Sequence, residues 1–340
     1  MTHHKATLND IADAASVSIS TVTRYIHERG YVKPDKQKRI ETAIAQLNYQ
    51  PKHQSIARKI PSNMIGIIIP YDVMCSHFNA VLCAIEKSLH QHGLISFVTT
   101  AVHGEKAELA RIKDLHKQGV DGVIVIGGRL SDHRLQQLRL NIPVVSIGNN
   151  QLMTENISSV STNNVVGGYL ATNYLLRLGH EKIVHICGNL SQPDGKQRLD
   201  GYYQALEKAG IPIRSELVIY GKFEIDCGRQ AVETLISQEV EFSAIFAAND
   251  HMALGAISML KEKGYSVPEQ VSVIGFDDHE MATIFSPPLT TIRQPSQHYG
   301  EMAATHMLQH LGLISAQPSS HEQEYLMTII ERGSCIARPM

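Results

Sequence analysis

Four short hydroxyl residues, Ser18, Ser20, Thr21 and Thr23, crowd the stretch "SISTVTRY" around Arg24. Ser and Thr are mediocre inside helices because their side chains compete for backbone hydrogen bonds. They become useful where a helix lies against a surface lined with donors and acceptors, and nucleic acid is such a surface. Hydroxyls at Ser20, Thr21 and Thr23 can approach bases and phosphates closely. Arg24 can engage guanine with two hydrogen bonds or pair with a phosphate, and Ile19 can touch thymine methyl groups. A second polar set closes apolar runs far along the chain. "AAND" (247–250) and "GFDDHE" (275–280) end such runs in Asn249, Asp277 and Asp278; "KQRLDGYYQAL" starts a helical pattern at Arg198, and "LTTIRQP" carries Gln294. Asn, Asp, Arg and Gln converging on one crevice can satisfy many hydroxyls at once, as a sugar requires. Asp278 alternatively serves only the turn.

Catalytic signatures are missing. No G-x-G-x-x-G follows an apolar run, no G-x-S-x-G elbow occurs, and the 18 His show no H-E-x-x-H spacing. "GNLSQPDGKQ" (188–197) is only loosely like a phosphate loop: its glycines stand one residue too far apart, and Gln197 occupies the Ser/Thr position. The expectation is no enzyme, no cofactor and no metal. The five cysteines, Cys75, Cys83, Cys187, Cys227 and Cys335, form no C-x-x-C pair. They read as reduced, mostly buried thiols of a cytoplasmic protein. No apolar run approaches 18 residues, so no membrane span is expected. "MTHHKATLND" has no apolar signal core.

The elements that must position these groups follow from charge and periodicity. The chain of 340 residues carries 31 Lys/Arg against 33 Asp/Glu. Residues 1–62 hold ten of the basic and five of the acidic residues, net +5, which leaves 21 against 28, net −7, for the rest. A basic head on an acidic body suggests a nucleic-acid-binding head. Within it, Leu8, Ile11, Ala12 and Ala15 line one helix face, with Thr7 as N-cap and Asp10 completing a capping box. Ser18 or Ser20 caps a second helix whose Val22 and Ile26 face inward. Pro34 opens a third, with Ile40, Ala43, Ile44 and Leu47 as its stripe. Three short helices with a tight first turn match a helix-turn-helix unit, whose second helix enters the major groove.

From residue 64 onward, apolar runs at 64–69, 95–98, 122–126, 143–147, 182–187, 243–247 and 271–276 alternate with helical patterns, two of which end at Gly93 and Gly264. Repeated strand and helix predicts parallel sheets covered by helices on both faces. Roughly 275 residues suit two doubly wound subdomains, with ligands at the carboxyl ends of the strands.

"TLNDIADAASVSISTVTRYIH" resembles the signature of the lactose/galactose repressor (LacI/GalR) family of bacterial transcription regulators. The match runs through Thr7, Asp10, Ala12, Val17, Ser18, Thr21, Val22 and Arg24, and "LNYQP" at 47–51 resembles the next family marker. Ser16, Thr23 and His27 stand where the family usually has Gly, Ser and Asn. The resemblance implies an α/β architecture: a helix-turn-helix head over 1–50, a hinge over 51–63, and a two-subdomain, periplasmic-binding-protein-like body over 64–340 with crossovers near 160, 291 and 322. It adds Thr7, Ser18 and His27 to the DNA-facing set. It also implies a hinge helix with a minor-groove wedge. "ARKI" resembles the family's A-R-x-L and nominates Arg58 and Ile60, with Ile56 as the rival wedge.

In the body, positions matching Arg198, Asn249, Asp277 and Gln294 contact the effector in that family. Phe78 matches one aromatic of a family motif, Asp72 belongs with it, and Phe223 sits where some members stack a ring. Gly148 and Asn149 stand where Asp-Arg is common, so that wall differs. The expectation is an effector-controlled repressor acting as a homodimer on a pseudo-palindromic operator. Its effector is expected to be a mono- or disaccharide or a derivative, with a purine or nucleoside as the alternative. A sugar-binding transport protein would share the body but not the basic head, and a sugar-converting enzyme would need a reactive site.

Overall fold

The computed structural model describes residues 7–26, 31–47, 61–70, 76–101, 104–138, 140–148, 152–315 and 326–338. The chain divides into two compact units, a head (Met1–Ser62) and a body (Asn63–Met340).

The head contains α1 (Leu8–Ala14), α2 (Ile19–Ile26) and α3 (Pro34–Gln46). Thr7 caps α1 in a capping box: its Oγ1 accepts from the Asp10 backbone N–H at 3.4 Å, and the Asp10 carboxylate accepts from the Thr7 N–H at 2.7 Å. Of the two candidate caps for α2, Ser18 does the work, accepting from the Thr21 N–H at 3.3 Å. Between the helices Ser16 holds φ +50°, a conformation that suits glycine. Arg39 of α3 donates to the carbonyls of Ala15 and Ser16 and so ties this turn to the third helix. Ile11, Ala12, Ala15, Val22, Val32, Ile40 and Ala43 form the core. Leu47 is exposed instead of joining that stripe, because α3 ends one residue before it. The Ile26 side chain, His27 and the hinge residues Ile56, Arg58 and Ile60 lie outside the described residues.

The body runs β1 (Met64–Pro70), α4 (Ser76–Gln91), β2 (Ile95–Ala101), α5 (Glu105–Gln118), β3 (Gly122–Ile126), α6 (Asp132–Gln136), β4 (Val144–Gly148), β5 (Ile157–Ser161), α7 (Asn164–Arg177), β6 (Ile183–Cys187), α8 (Pro193–Lys208), β7 (Val218–Tyr220), α9 (Ile225–Ser237), β8 (Ala244–Ala247), α10 (Asp250–Glu262), β9 (Ser272–Phe276), α11 (Met281–Ile284), β10 (Thr290–Arg293), α12 (Ser296–His310) and β11 (Thr328–Ile330). Two sheets result. The first has the order β2-β1-β3-β4-β5, all parallel. The second has the order β11-β10-β9-β8-β6-β7, parallel except for β11.

Side chains alternate across a strand, so a sheet covered on both faces must be apolar throughout. In β3, Ile124 and Ile126 join α4 and α12, while Val123 and Val125 join Ile112 and Leu115 of α5. In the second sheet, Ile245 and Ala247 pack with α9 and α10, and Ala244 and Phe246 with α7 and α8. That explains why continuous apolar runs, rather than alternation, announced these strands. The chain leaves the first lobe after β5, returns after β10 with α12 packed on α4, and crosses again between α12 and β11. The expectation of mostly buried thiols fails: Cys227 and Cys335 are only half-buried, and Cys83 is exposed on the face of α4 opposite Val81, Ile85 and Leu89. Cys187 is buried, and Cys75 lies outside the described residues. Among the described residues, no helix is long and apolar enough to cross a membrane.

Candidate functional site

On α2 and its cap, Ser18, Ile19, Ser20 and Arg24 are exposed, while Thr21 and Thr23 are half-buried. Ser18 Oγ lies 2.9 Å from Ser20 Oγ and 2.8 Å from Thr21 Oγ1, so the hydroxyls form one connected patch. Ile19 is 49% exposed, an apolar side chain left in solvent beside that patch. Thr7 keeps its hydroxyl inside the capping box, donating to the Asp10 carboxylate at 2.8 Å. Tyr25 turns the other way and donates to Glu41 of α3 at 2.6 Å. Burial, then the Glu41 carboxylate, pushes its phenol up to about 12, so it stays a donor that fastens α2 to α3.

In the body, the carboxyl ends of the parallel strands frame one cleft, where such folds place their ligands. Its space, open solvent included, is ≈ 580 Å³. It gathers Phe78, Arg198, Phe223, Asn249, Asp277 and Gln294 from across about 220 residues of chain. Asp72 and Asn149 lie outside the described residues, and Gly148 forms part of the wall.

Each polar side chain has a definite partner. Asp277 Oδ1 accepts from Gln294 Nε2 at 2.7 Å and faces Arg198 Nη2 at 3.3 Å. Arg198 also donates from Nε to Asn164 Oδ1 at 2.9 Å and from Nη1 to the Ala248 carbonyl, and its guanidinium lies 3.7 Å over the Phe276 ring. A carboxylate only accepts, so the Gln294 amide nitrogen must face Asp277. Its carbonyl Oε1 is then left buried with no partner. Asn249 uses its carbonyl to cap α10 at Met252 N–H and its amide to hold the Phe223 carbonyl, both at 2.9 Å. Its first task is thus to fix Phe223.

Three strained residues mark the cleft and its turn. Phe223 has φ +69°, and its ring packs so tightly on Gly188 that a Cβ there would come within 2.0 Å of it. Asp277 and Asp278 have φ +101° and +53°. Non-glycine residues in this region each cost about 1–3 kcal/mol and persist where surrounding bonds over-determine them. Asp278 supplies those bonds: its oxygens pair with Arg293 Nε and Arg332 Nη2, each at 2.6 Å. It is the anchor of the turn that presents Asp277.

Sequence reasoning missed Asn164, Asp194 and Asp250. Asn163 caps α7, so "NN" reads as a helix start; Asp194 behind Pro193 reads the same way. Asp250 follows the Asn249 cap and is 1% exposed, accepting from Thr291 Oγ1 and the His279 N–H at 2.6 Å. Burial raises its carboxyl well above the usual range, with Asp277 adding to the rise against those two bonds. Among the described residues, no three or more His, Cys, Asp or Glu side chains are grouped to hold a metal ion.

A helix-turn-helix head on a two-lobed, doubly wound body with a polar cleft defines a class, the DNA-binding transcription regulators with a periplasmic-binding-protein-like core. The chain belongs to the lacI family of bacterial regulatory proteins. Residues 7–52 match the model described as "Bacterial regulatory proteins, lacI family", and residues 62–331 match "Periplasmic binding proteins and sugar binding domain of LacI family". The chain is 33% identical to the HTH-type transcriptional repressor PurR of Actinobacillus pleuropneumoniae serotype 3 (strain JL03), over 97% of this chain and 98% of that one. It is likewise 33% identical to PurR of Serratia proteamaculans (strain 568), over 98% of each. Among solved structures, a complex of the transcriptional regulator CelR with cellobiose superposes with a TM-score of 0.70 at 27% identity, over 97% of this chain and 100% of that one. The lac repressor dimer bound to operator and the anti-inducer ONPF gives 0.70 at 26%, over 98% and 100%. This chain is therefore a DNA-binding transcription regulator.

Arg24→Ala is expected to weaken binding to its operator by about 1–3 kcal/mol and to relax preference at one base pair, as loss of a guanine contact does. Anisotropy titrations on operator and on random DNA check this. Equal loss on both assigns Arg24 to a phosphate, and no loss on either removes it from the interface.

Proposed function

We propose that this protein is a repressor, acting in the cytoplasm as a homodimer on a pseudo-palindromic operator and carrying out no catalysis, whose operator affinity is set by an uncharged purine base or nucleoside in the cleft. The observation that carries the effector class is a pair of acceptors on two bonded lining residues: the Asp277 carboxylate, and the Oε1 of Gln294, which is buried and unpartnered. Adjacent acceptors select a ligand edge with adjacent N–H donors, as a 6-oxopurine with an exocyclic amino group presents. Phe223, held rigid against Gly188, offers a flat wall for a ring, and Phe78 adds a second aromatic surface. The relatives named PurR favour a purine over the sugar expected from the sequence.

The charges argue for an uncharged ligand. Arg198 is the one cation among the described lining residues, and its charge is already paired with Asp277. A phosphate in the cleft would face Asp194 and Asp277 with no unpaired lining cation to meet it. A sugar remains the second reading, favoured by the CelR–cellobiose likeness, since the same acceptors can take hydroxyls. Titration calorimetry with guanine, guanosine, guanosine monophosphate and cellobiose separates the readings. The expected result is binding of guanine or guanosine, at least tenfold weaker binding of the monophosphate, and no heat from cellobiose. Saturable binding of cellobiose without guanine would replace the purine by a sugar.

A further inference from the structure

Asn164 belongs to none of the motifs read from the sequence, yet three side-chain hydrogen bonds converge on it at the edge of the cleft. It is 1% exposed. Its Nδ2 donates to Thr162 Oγ1 at 3.0 Å and to Asp194 Oδ1 at 2.9 Å, and its Oδ1 accepts from Arg198 Nε at 2.9 Å. It is the first residue of α7, where the chain has just passed from the first lobe to the second. Gln294 is the residue after β10, where the chain passes back. Between these two crossings runs an unbroken polar path: Asn164 to Arg198, Arg198 to Asp277, Asp277 to Gln294.

The backbone beneath this path is locked. A Cβ on Gly168 of α7 would lie 2.2 Å from the Arg198 carbonyl of α8, and one on Gly201 of α8 would lie 2.2 Å from the Val165 carbonyl of α7. The two helices touch backbone to backbone, so Asn164 keeps its register on Arg198. Three bonds fix the plane of a guanidinium more firmly than two, and the Asn164 bond is the one that orients Nε.

We propose that Asn164 is the positioning residue of the effector site. It holds the Arg198 guanidinium flat on Phe276 with Nη2 toward Asp277. The Asp277 and Gln294 acceptors are thereby set at a fixed geometry, and a ligand that engages them is read by both crossings at once. The inference rests on the cleft being the effector site.

The test has an arm without ligand and an arm with it. In the first, the Arg198 Nε–H is followed by nitrogen-resolved NMR in the full-length protein. It is expected to be protected from solvent exchange in the parent, lost in Asn164→Ala, and retained when Asn164→Asp is combined with Asp194→Asn, which keeps an acceptor facing Nε without setting two carboxylates together. Should Asn164→Ala not fold, the same signal in that paired variant decides: its loss there counts against the proposal. In the second arm, calorimetry with guanine and with cellobiose is run on the parent, on Asn164→Ala, on Asp277→Asn and on the double variant. Each single substitution is expected to weaken the ligand that binds the parent at least tenfold, and the double variant little more than Asp277→Asn alone, because Asn164 reaches the ligand by way of Arg198 and Asp277. Multiplying effects, or a protected Arg198 Nε–H in Asn164→Ala, would overturn the proposal. If neither guanine nor cellobiose binds the parent, the effector reading fails, while the NMR arm still decides whether Asn164 positions Arg198.

Discussion

Raising the salt from about 50 to about 200 mM is expected to weaken operator binding by roughly 10³–10⁵-fold, for a dimer that neutralises about 6–10 phosphates and releases their counterions. The basis is the charge of the head, net +5 over residues 1–62, on a chain of net −2. Its described cations are displayed rather than buried: Arg24, Lys33, Lys36 and Lys38 are all exposed. Anisotropy titrations at several salt concentrations give the slope of log affinity against log salt. A nearly flat line would mean that the basic head is not the DNA-binding surface. The body supplies an internal control, because residues 63–340 carry the acidic surplus and should show no operator affinity.

Asp277→Asn is expected to yield a protein that binds operator as the parent does without effector, yet no longer responds to effector. The substitution keeps the size of the side chain. It removes the charge that faces Arg198 at 3.3 Å and sets an amide among groups that are themselves donors, Gln294 Nε2 and Arg198 Nη2. On the proposed reading effector and operator bias one shared equilibrium, and their coupling, typically about 1–3 kcal/mol, disappears when the ligand cannot engage the floor of the cleft. The measurement is operator affinity with and without saturating guanine, or cellobiose if that is the ligand of the parent. A variant that switches at the parent's ligand concentration would reduce Asp277 to a turn residue and move the effector site elsewhere. The head is not expected to change, since Asp277 sits in a compact unit of its own with its partners Arg198 and Gln294.

The head was legible except at Leu47, which the stripe placed inside and the structure leaves exposed. The Thr7 cap, the inward Ile11, Val22 and Ile40, and the hydroxyl patch of α2 and its cap all follow from local rules, because caps and helix faces are decided within four residues. Seven strands of the body were legible for a related reason. A parallel strand buried on both faces is apolar at every position, and that needs no knowledge of its neighbours; β2 is the exception, an edge strand legible from "ISFV" although Ile95 and Phe97 are exposed. The polar strands escaped. β5 reads "ISSVS" and β10 "TTIR", and nothing local marks either as buried. Thr290 and Thr291 are fully buried with their hydroxyls satisfied by partners far along the chain, the Arg332 N–H 42 residues away and the Asp250 carboxylate 41 residues away.

The sequence by itself determined the class of the protein: a basic helix-turn-helix head, a repeating strand-and-helix body, and polar residues waiting at strand ends. Which of those residues line the cleft and which hold its turn was decided only in three dimensions. Asp277 and Asp278 are adjacent and identical in type, yet one faces the cleft while the other is consumed by Arg293 and Arg332. Asn249 and Asn164 both stand at helix starts, yet one fixes Phe223 and the other bonds Arg198. The reason is physical. A side chain's chemistry is set by the partners that satisfy its donors and acceptors, and the partners of the Arg198 and Asp277 side chains stand 17 residues or more away along the chain.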